Sequence, residues 1–373
     1  WEYLKKKKFN FGVFGSLHSN FLPKDYKDYS FYVPDVFAPH NSCSPERVKN
    51  FHNFQLNMTK NSSRNVKRNL DLKDTILFLK DSLKNGITLS TFSIILKQLI
   101  NEFFDVKKSV RRRTIHSLLA FDVFFSLLDE KKPDFSTIFT NHVASSMHRY
   151  WEASFPNEFS KLNQSKKWYE DYKNEIFYSM KVTEIILRKL CKFVNKNQNF
   201  NLWVLSSMGQ SPNKSFKVNN QLLLDNPEIF FSNFFIKKSE FRIKPSMAPI
   251  YVFEICNPNK IKNLEQLKNI KIEGEKIKFQ IDGKTLFIEI GQTNIKTEEL
   301  IFNNNSCALS KFGFKKEDIQ DFSGSSAYHH PNGTFFIYPK EKNRNFNKFL
   351  EGNYIPTDKL FSILKESFDK YVS

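Results

Sequence analysis

Asp134-Phe135-Ser136-Thr137-Ile138-Phe139-Thr140, followed by Asn141-His142-Val143-Ala144-Ser145-Ser146-Met147-His148-Arg149-Tyr150-Trp151, is the stretch on which the fold turns. The first seven residues are rich in aromatic and β-branched side chains and read as a core strand, entered from a loop that Pro133 ends. The next eleven hold two histidines six residues apart, whose rings converge only if the segment turns. A strand that runs into such a segment fits an α/β sheet, in which ligands bind beyond the carboxyl ends of the strands. Taken alone, the pair also has a plain structural reading: His148 packed on Trp151, and His142 hydrogen-bonded at the sheet edge.

Working outward, Phe11-Gly12-Val13-Phe14-Gly15 is a short apolar strand, and Phe31-Tyr32-Val33 is a second that stops at Pro34. Residues 71–84 and 88–104 carry apolar side chains at three- and four-residue spacings, which predicts amphipathic helices with Asp71 and Thr88 as N-caps. A further helix is expected over 111–128, and one long or two abutting helices over 157–195, before the strand Asn201-Leu202-Trp203-Val204-Leu205-Ser206. This alternation predicts an α/β core over residues 1–221. From Leu222 the texture changes to short strands at 236–255, 270–281 and 284–290, with the hairpin signal Asp282-Gly283. A small β-rich or α+β insertion over 222–300 is the expectation. Residues 301–373 then return to the core, with the strand Gly333-Thr334-Phe335-Phe336-Ile337-Tyr338 and a closing helix over 357–371.

Composition narrows the classes. With 40% hydrophobic residues and 41 Phe in 373, the chain is not disordered. No uncharged apolar run approaches the ~18 residues of a membrane span. Four scattered Cys without a CxxC pair exclude a disulfide scaffold and a zinc ribbon, and they point to a reducing, cytoplasmic setting. Lys plus Arg is 57 against 39 Asp plus Glu, a net charge of +18. That excess is lysine: 47 Lys stand against 10 Arg, beside 37 Asn and 11 Gly. Such a pattern follows from A/T-rich codons without selection for a polyanion, and Arg, the residue of bidentate phosphate recognition, is scarce. The charge therefore carries little weight as a pointer to nucleic acid and still fits an anionic substrate. No signal peptide is visible, and Trp1-Glu2-Tyr3-Leu4 reads as the end of a helix, so the first part of the fold is expected to lie upstream.

Polar residues gather at the strand ends. Ser16, His18 and Ser19 follow the first strand, while Asn141, His142 and His148 follow 134–140. Ser207, Met208, Gly209 and Gln210 follow 201–206, and Ser323-Gly324-Ser325-Ser326-Ala327-Tyr328-His329-His330 precedes the last strand. Five of the eight His fall at these four places, which favours a polar site over scattered surface histidines. No Gly-x-Ser-x-Gly elbow, dinucleotide loop or Walker loop is present. Cys43, on one short loop with His40 and no orienting partner, reads as a plain loop cysteine.

In this order the motifs resemble the alkaline phosphatase-like superfamily, nearest its phosphodiesterase and nucleotide pyrophosphatase or sulfatase-like branches. Pro133-Asp134 through His148 resembles the family's strand and metal-binding segment ending in His, and Ser326 through Gly333 resembles its late Gly-x-His segment. Val204 to Gln210 stands where the family has a strand and Asp-His-Gly. The resemblance implies a central, mostly parallel sheet flanked by helices. It implies a hydrolase or transferase of a phosphate or sulfate ester that uses a divalent metal, zinc or manganese. His142, His148, His329 and His330 would be ligands, and Asn141, Arg149, Ser207 and Gln210 would meet an anionic small-molecule or glycan-linked substrate. The chain departs from the family at Ser207 and Met208, where two ligands would stand, and at Ala144, where the phosphodiesterases have an Asp. A full two-metal centre is therefore not expected, and the nucleophile is expected before Trp1. An altered single-ion site and a catalytically inactive binding or assembly protein of the same fold stand level as expectations, with a basic nucleic-acid-binding protein behind them.

Overall fold

The structure is a computed structural model that describes residues 2–17, 22–36, 38, 40–59, 77–78, 80–213, 218–244, 246, 249–319, 323, 325–339, 349–350 and 354–372. Strands β1 (Phe11–Phe14), β2 (Phe31–Val33) and β3 (Phe135–Ile138) form a parallel sheet in the order β2-β1-β3. Gly12 lies directly opposite Phe31, and a Cβ on it would come within 2.2 Å of that ring, so close strand packing requires glycine there. Helices α1 (Glu2–Lys6), α2 (Lys49–Thr59), α3 (Leu89–Phe104), α4 (Arg112–Lys131), α5 (His142–Ser154), α6 (Lys166–Tyr172) and α7 (Glu175–Lys196) surround it.

The apolar face of α4 sets Leu118, Phe121, Phe124 and Leu127 against Phe14, Phe31 and Val33 of the sheet, Phe51 of α2, and Val182, Ile186 and Leu190 of α7. The rings of Phe14 and Phe31 both meet Phe124 edge-on at 5.9 Å, the arrangement that aromatic quadrupoles favour. Thr88 caps α3 as expected, its Oγ1 accepting from the Thr91 N–H. The buried Asp122 carboxylate accepts from the Thr88 N–H at 3.0 Å and from Lys189 Nζ at 2.7 Å, which ties α3, α4 and α7 together.

The expected central, mostly parallel sheet flanked by helices is not what forms. Among the described residues, parallel pairing stops at three strands and the rest of the sheet structure is small and antiparallel. β4 (Leu202–Ser206) does form where the sequence placed a strand, but it pairs antiparallel with β17 (Thr334–Tyr338). β5 (Gly209–Pro212) likewise pairs antiparallel with β16 (Ala327–His330). The physical reason is that the returning segment offers β4 and β5 one antiparallel partner each, which pairs one edge of each strand without joining β3. Gly333 permits the close return, since a Cβ there would collide with the Ser206 carbonyl oxygen. The region predicted as one long or two abutting helices is α6 and α7, preceded by irregular chain. The predicted cap Asp71 and half of its helix lie outside the described residues, as do His18 and Ser19.

Between β5 and β16 the chain builds a separate β-rich unit. β7 (Phe241–Lys244), β8 (Ile250–Ile255), β11 (Lys278–Asp282) and β12 (Thr285–Glu289) form one antiparallel sheet, and β9 (Ile270–Ile272), β10 (Glu275–Lys276), β13 (Glu299–Phe302) and β14 (Asn305–Ala308) form another. The expected hairpin at Asp282 is present: Asp282 lies opposite Thr285, and Gly283 adopts a φ of 55°, a left-handed value that glycine accepts readily. Phe230 and Phe231 of α8 (Pro227–Ser232), with Phe234 just after it, fill the centre. The unit is closed at its base by β6 (Asn220–Leu224) pairing with β15 (Phe314–Asp318), so the predicted 222–300 segment shares one core with Leu309, Phe312 and Phe314. The last helix, α9 (Leu360–Val372), returns to the chain's beginning, with Phe368 packed on Phe9 and Phe135 and the Tyr3 hydroxyl donating to Asp369.

Candidate functional site

The segment after β3 is helical, and that decides what its two histidines can do. At 3.6 residues per turn, a spacing of six separates two side chains by about 120° around the axis, so His142 and His148 diverge. His142, 3% exposed, faces α7 with Nε2 3.0 Å from Thr183 Oγ1. Burial pushes its pKa down to about 4. It is a packed, neutral imidazole.

His148 faces the other way, toward β16. The Ser326 N–H donates to the His148 carbonyl at 2.7 Å, and His148 Nδ1 lies 2.7 Å from the Ala327 carbonyl oxygen. A carbonyl can only accept, so Nδ1 holds a proton, and in the neutral ring Nε2 then presents a lone pair. His329 Nε2 stands 3.3 Å from that lone pair, with the two rings at 69°. Directly opposite His329 on β5 is Gln210, which the antiparallel pairing places on the same face. Its Oε1 is buried and has no hydrogen-bond partner among the described residues.

His330 alternates to the opposite face of β16 and accepts from the Asn332 N–H through Nδ1. Asn141 is exposed at the start of α5, where its side chain makes no cap hydrogen bond. Arg149 is buried within the helical layer. Ser207 is exposed in the turn between β4 and β5, beside the contact from Ser206 Oγ to the Met208 carbonyl. Of the four histidines expected together, the structure joins His148 and His329, adds Gln210 by register, and leaves His142 and His330 apart from them.

The residues present can be tested against the divalent ion that the sequence resemblance implies. Two imidazole nitrogens bound at ~2.0–2.1 Å to one tetrahedral ion are about 3.3–3.4 Å apart, which matches the His148–His329 separation. The Nδ1–H of His148 held by a backbone carbonyl is the outer contact that orients metal-binding imidazoles. No group of three or more His, Cys, Asp or Glu side chains able to hold a metal occurs among the described residues. The set fits one ion with open coordination positions and does not fit a two-ion centre.

A second gathering was not visible in the sequence. His40, His52 and His116, the three histidines away from the predicted strand ends, come together beside β2. His52 is fully buried on α2; burial first, and then its neighbours His40 and His116, bring its pKa down to about 4. His52 has no well-aligned hydrogen bond to either ring nitrogen, with Gln55 as its polar neighbour. His116 Nε2 is enclosed, although the residue as a whole keeps some exposure, and its pKa falls to about 4 by burial. The sequence places His52 beside Phe51 and His116 beside Ile115 on helices, a pattern that does not distinguish an enclosed ring from a solvated one.

Comparison with family models, curated proteins and solved structures gives no match for this chain. No helix among the described residues is long and apolar enough to cross a membrane.

Proposed function

We propose that the chain acts on a phosphate or sulfate ester, as a hydrolase or transferase, at the face shared by His148, His329 and Gln210, with one zinc or manganese ion between the two imidazoles. The observation that supports this reading is the 3.3 Å separation of the two Nε2 atoms, with the His148 proton fixed on Nδ1. Bound there, a divalent ion supplies Lewis-acid polarisation of an ester oxygen. His148 enters such a site with its lone pair already aimed. His329, on an exposed strand, shifts its proton to Nδ1 to present its own. Gln210 offers Oε1 as a neutral oxygen donor, or its amide N–H to an anionic ester oxygen. The surplus of lysine and arginine over acid, +18 in all, favours approach of an anionic substrate.

Zinc titration by calorimetry, followed by turnover of p-nitrophenyl phosphate, bis-p-nitrophenyl phosphate and p-nitrophenyl sulfate, tests this. The expected result is about one ion per chain, lost in His148→Ala and in His329→Ala, with ester turnover lost in the same variants. Ion binding that survives both substitutions overturns the site. An ion that binds without turnover of any ester would make the chain a binding protein instead.

A further inference from the structure

Helix α3 is apolar on two sides: Phe92, Ile94 and Ile95 pack against the core of the helical layer, and a second apolar face is left to solvent. Thr91 and Gln98 are buried against the protein, and Gln98 Nε2 donates to the Lys108 carbonyl and to Glu102. Leu89, Leu96, Leu99, Ile100 and Phe103, which share one face at helical spacing, are exposed instead. Phe104, the last residue of the helix, is exposed as well, and so are Val106 after it and Leu83 before its start. Phe103 and Phe104 are 86% and 82% exposed, with their rings packed edge-on against each other at 5.4 Å. An aromatic side chain offers about 150–250 Å², so these two rings with the four exposed aliphatic side chains of the helix exceed the roughly 300–600 Å² of the largest apolar patch on a typical monomer.

The exposed charge beside these apolar side chains is basic, since Asp105, directly after the helix, is half-buried and accepts from the Lys107 N–H. Lys84 and Lys97 are exposed beside it and make no ion pair among the described residues. The acid on α3, Glu102, is held by Arg112 at 2.6 Å. A second copy of the chain would bring the same lysines and the same +18 against themselves, whereas an anionic surface meets them with opposite sign. Phe103 and Phe104 stand almost clear of the molecule rather than lining a groove. Free-standing rings suit a fluid layer that conforms to them, to a depth of ~5–10 Å.

We propose that the exposed face of α3, from Leu89 to Phe104, docks this protein on an anionic lipid bilayer, with Lys84 and Lys97 at the headgroups. This does not depend on the ester-hydrolase reading. The test is flotation of the full chain with vesicles of phosphatidylcholine alone and of a two-to-one mixture with phosphatidylglycerol. Binding to the mixed vesicles is expected, weakening as salt is raised. A Phe103→Ser/Phe104→Ser variant should partition about tenfold or more less, with an unchanged melting temperature because both side chains are exposed. Lys84→Glu/Lys97→Glu should lose a smaller factor and much of the salt sensitivity. Failure to bind mixed vesicles, equal binding to neutral ones, or binding untouched by the phenylalanine variant overturns the proposal. So does concentration-dependent dimerisation, or capture of an acidic amphipathic peptide, that the phenylalanine variant abolishes while vesicles remain unbound.

Discussion

The helical layer over β1–β3 and the β-rich unit between β5 and β16 are both held by a large, Phe-rich apolar cluster, yet they enclose different chemistry. The β-rich cluster runs through Phe230, Phe231, Phe253, Ile255, Leu286 and Ile288, and Gln221 is the buried polar residue recorded in the unit. The helical layer buries His52, Asp122, His142, Arg149, Glu152 and Glu175 along with its apolar side chains. Burying a polar or charged group costs free energy unless it is paired, so one region is stabilised by area and the other depends as well on buried ion pairs, Asp122 with Lys189 and Glu175 with Arg111. The difference also places the candidate site. Gln210 lies on the strand that enters the β-rich unit and His329 on the strand that leaves it, and the pairing of β6 with β15 at the unit's base brings those two strands together. A region whose described core is almost wholly apolar thereby sets the pairing of the two strands that carry the candidate site.

The largest test of this contrast is Phe231→Ala. The ring is fully buried and packs on Phe241 at 4.3 Å and Phe253 at 4.9 Å, so its loss should destabilise the β-rich unit by about 3–5 kcal/mol in urea denaturation. Zinc affinity at His148 and His329 should fall with it, because the strand pairing then frays. Unchanged affinity would break the link between unit and site.

Acid is the next lever, and it should act on one region. His52, His116 and His142 each titrate at about 4 when folded, below the ~6.5 of an exposed imidazole. The unfolded chain therefore binds more protons between these values. The stabilisation is fully present above about pH 6.5 and is lost as pH falls toward 4, by up to about 3 kcal/mol per histidine. Hydrogen exchange as a function of pH should show the helical layer opening while the β-rich strands stay protected. His142→Gln should flatten the slope. Parallel loss in both regions would erase the contrast.

Much of this was readable locally and little of it globally. The Thr88 cap, the Asp282-Gly283 hairpin and strands 11–15 and 201–206 follow from a few adjacent residues, and all formed. The direction and partner of a strand do not lie in its own residues, which is why Leu202 to Ser206 was placed in a parallel sheet that it does not join. Spacing also misled in a way that can be reasoned out. Six residues bring two histidines together across a turn, but Asn141 to Trp151 is helical from His142 onward, so the partner of His148 sits 181 positions away. His52 and His116 went unnoticed because a histidine among apolar helix positions looks the same in sequence whether its ring is enclosed or solvated.

A smaller effect separates pairing from packing within the helical layer. Asp122 is almost fully buried but is met by Lys189, whose side chain keeps a quarter of its exposure. Asp122→Ala should cost about 2–3 kcal/mol, below the ~3–5 of a fully buried broken pair, because the freed ammonium can still reach water. Asp122→Asn retains an acceptor for the Thr88 N–H and should recover part of that loss. Equal losses for the two variants would assign the stabilisation to the ion pair and leave the helix-start hydrogen bond without a measurable share.

The smallest expected stability change is at the site itself. His329 is exposed on β16, and its ring meets His148 at the surface, so His329→Ala should alter stability by about 0.5 kcal/mol or less. Zinc binding should nonetheless disappear, since one imidazole cannot hold the ion at the same affinity. His330→Ala, one position along on the opposite face, changes stability as little and should leave zinc binding intact. That pairing of variants asks whether the face chosen by the β5–β16 register decides function. If both histidines matter equally, the metal is bound by a flexible surface cluster, and the ordered His148–Ala327 contact does not orient it. If only His329 matters, a site without energetic weight in the fold is positioned by the two regions that carry it.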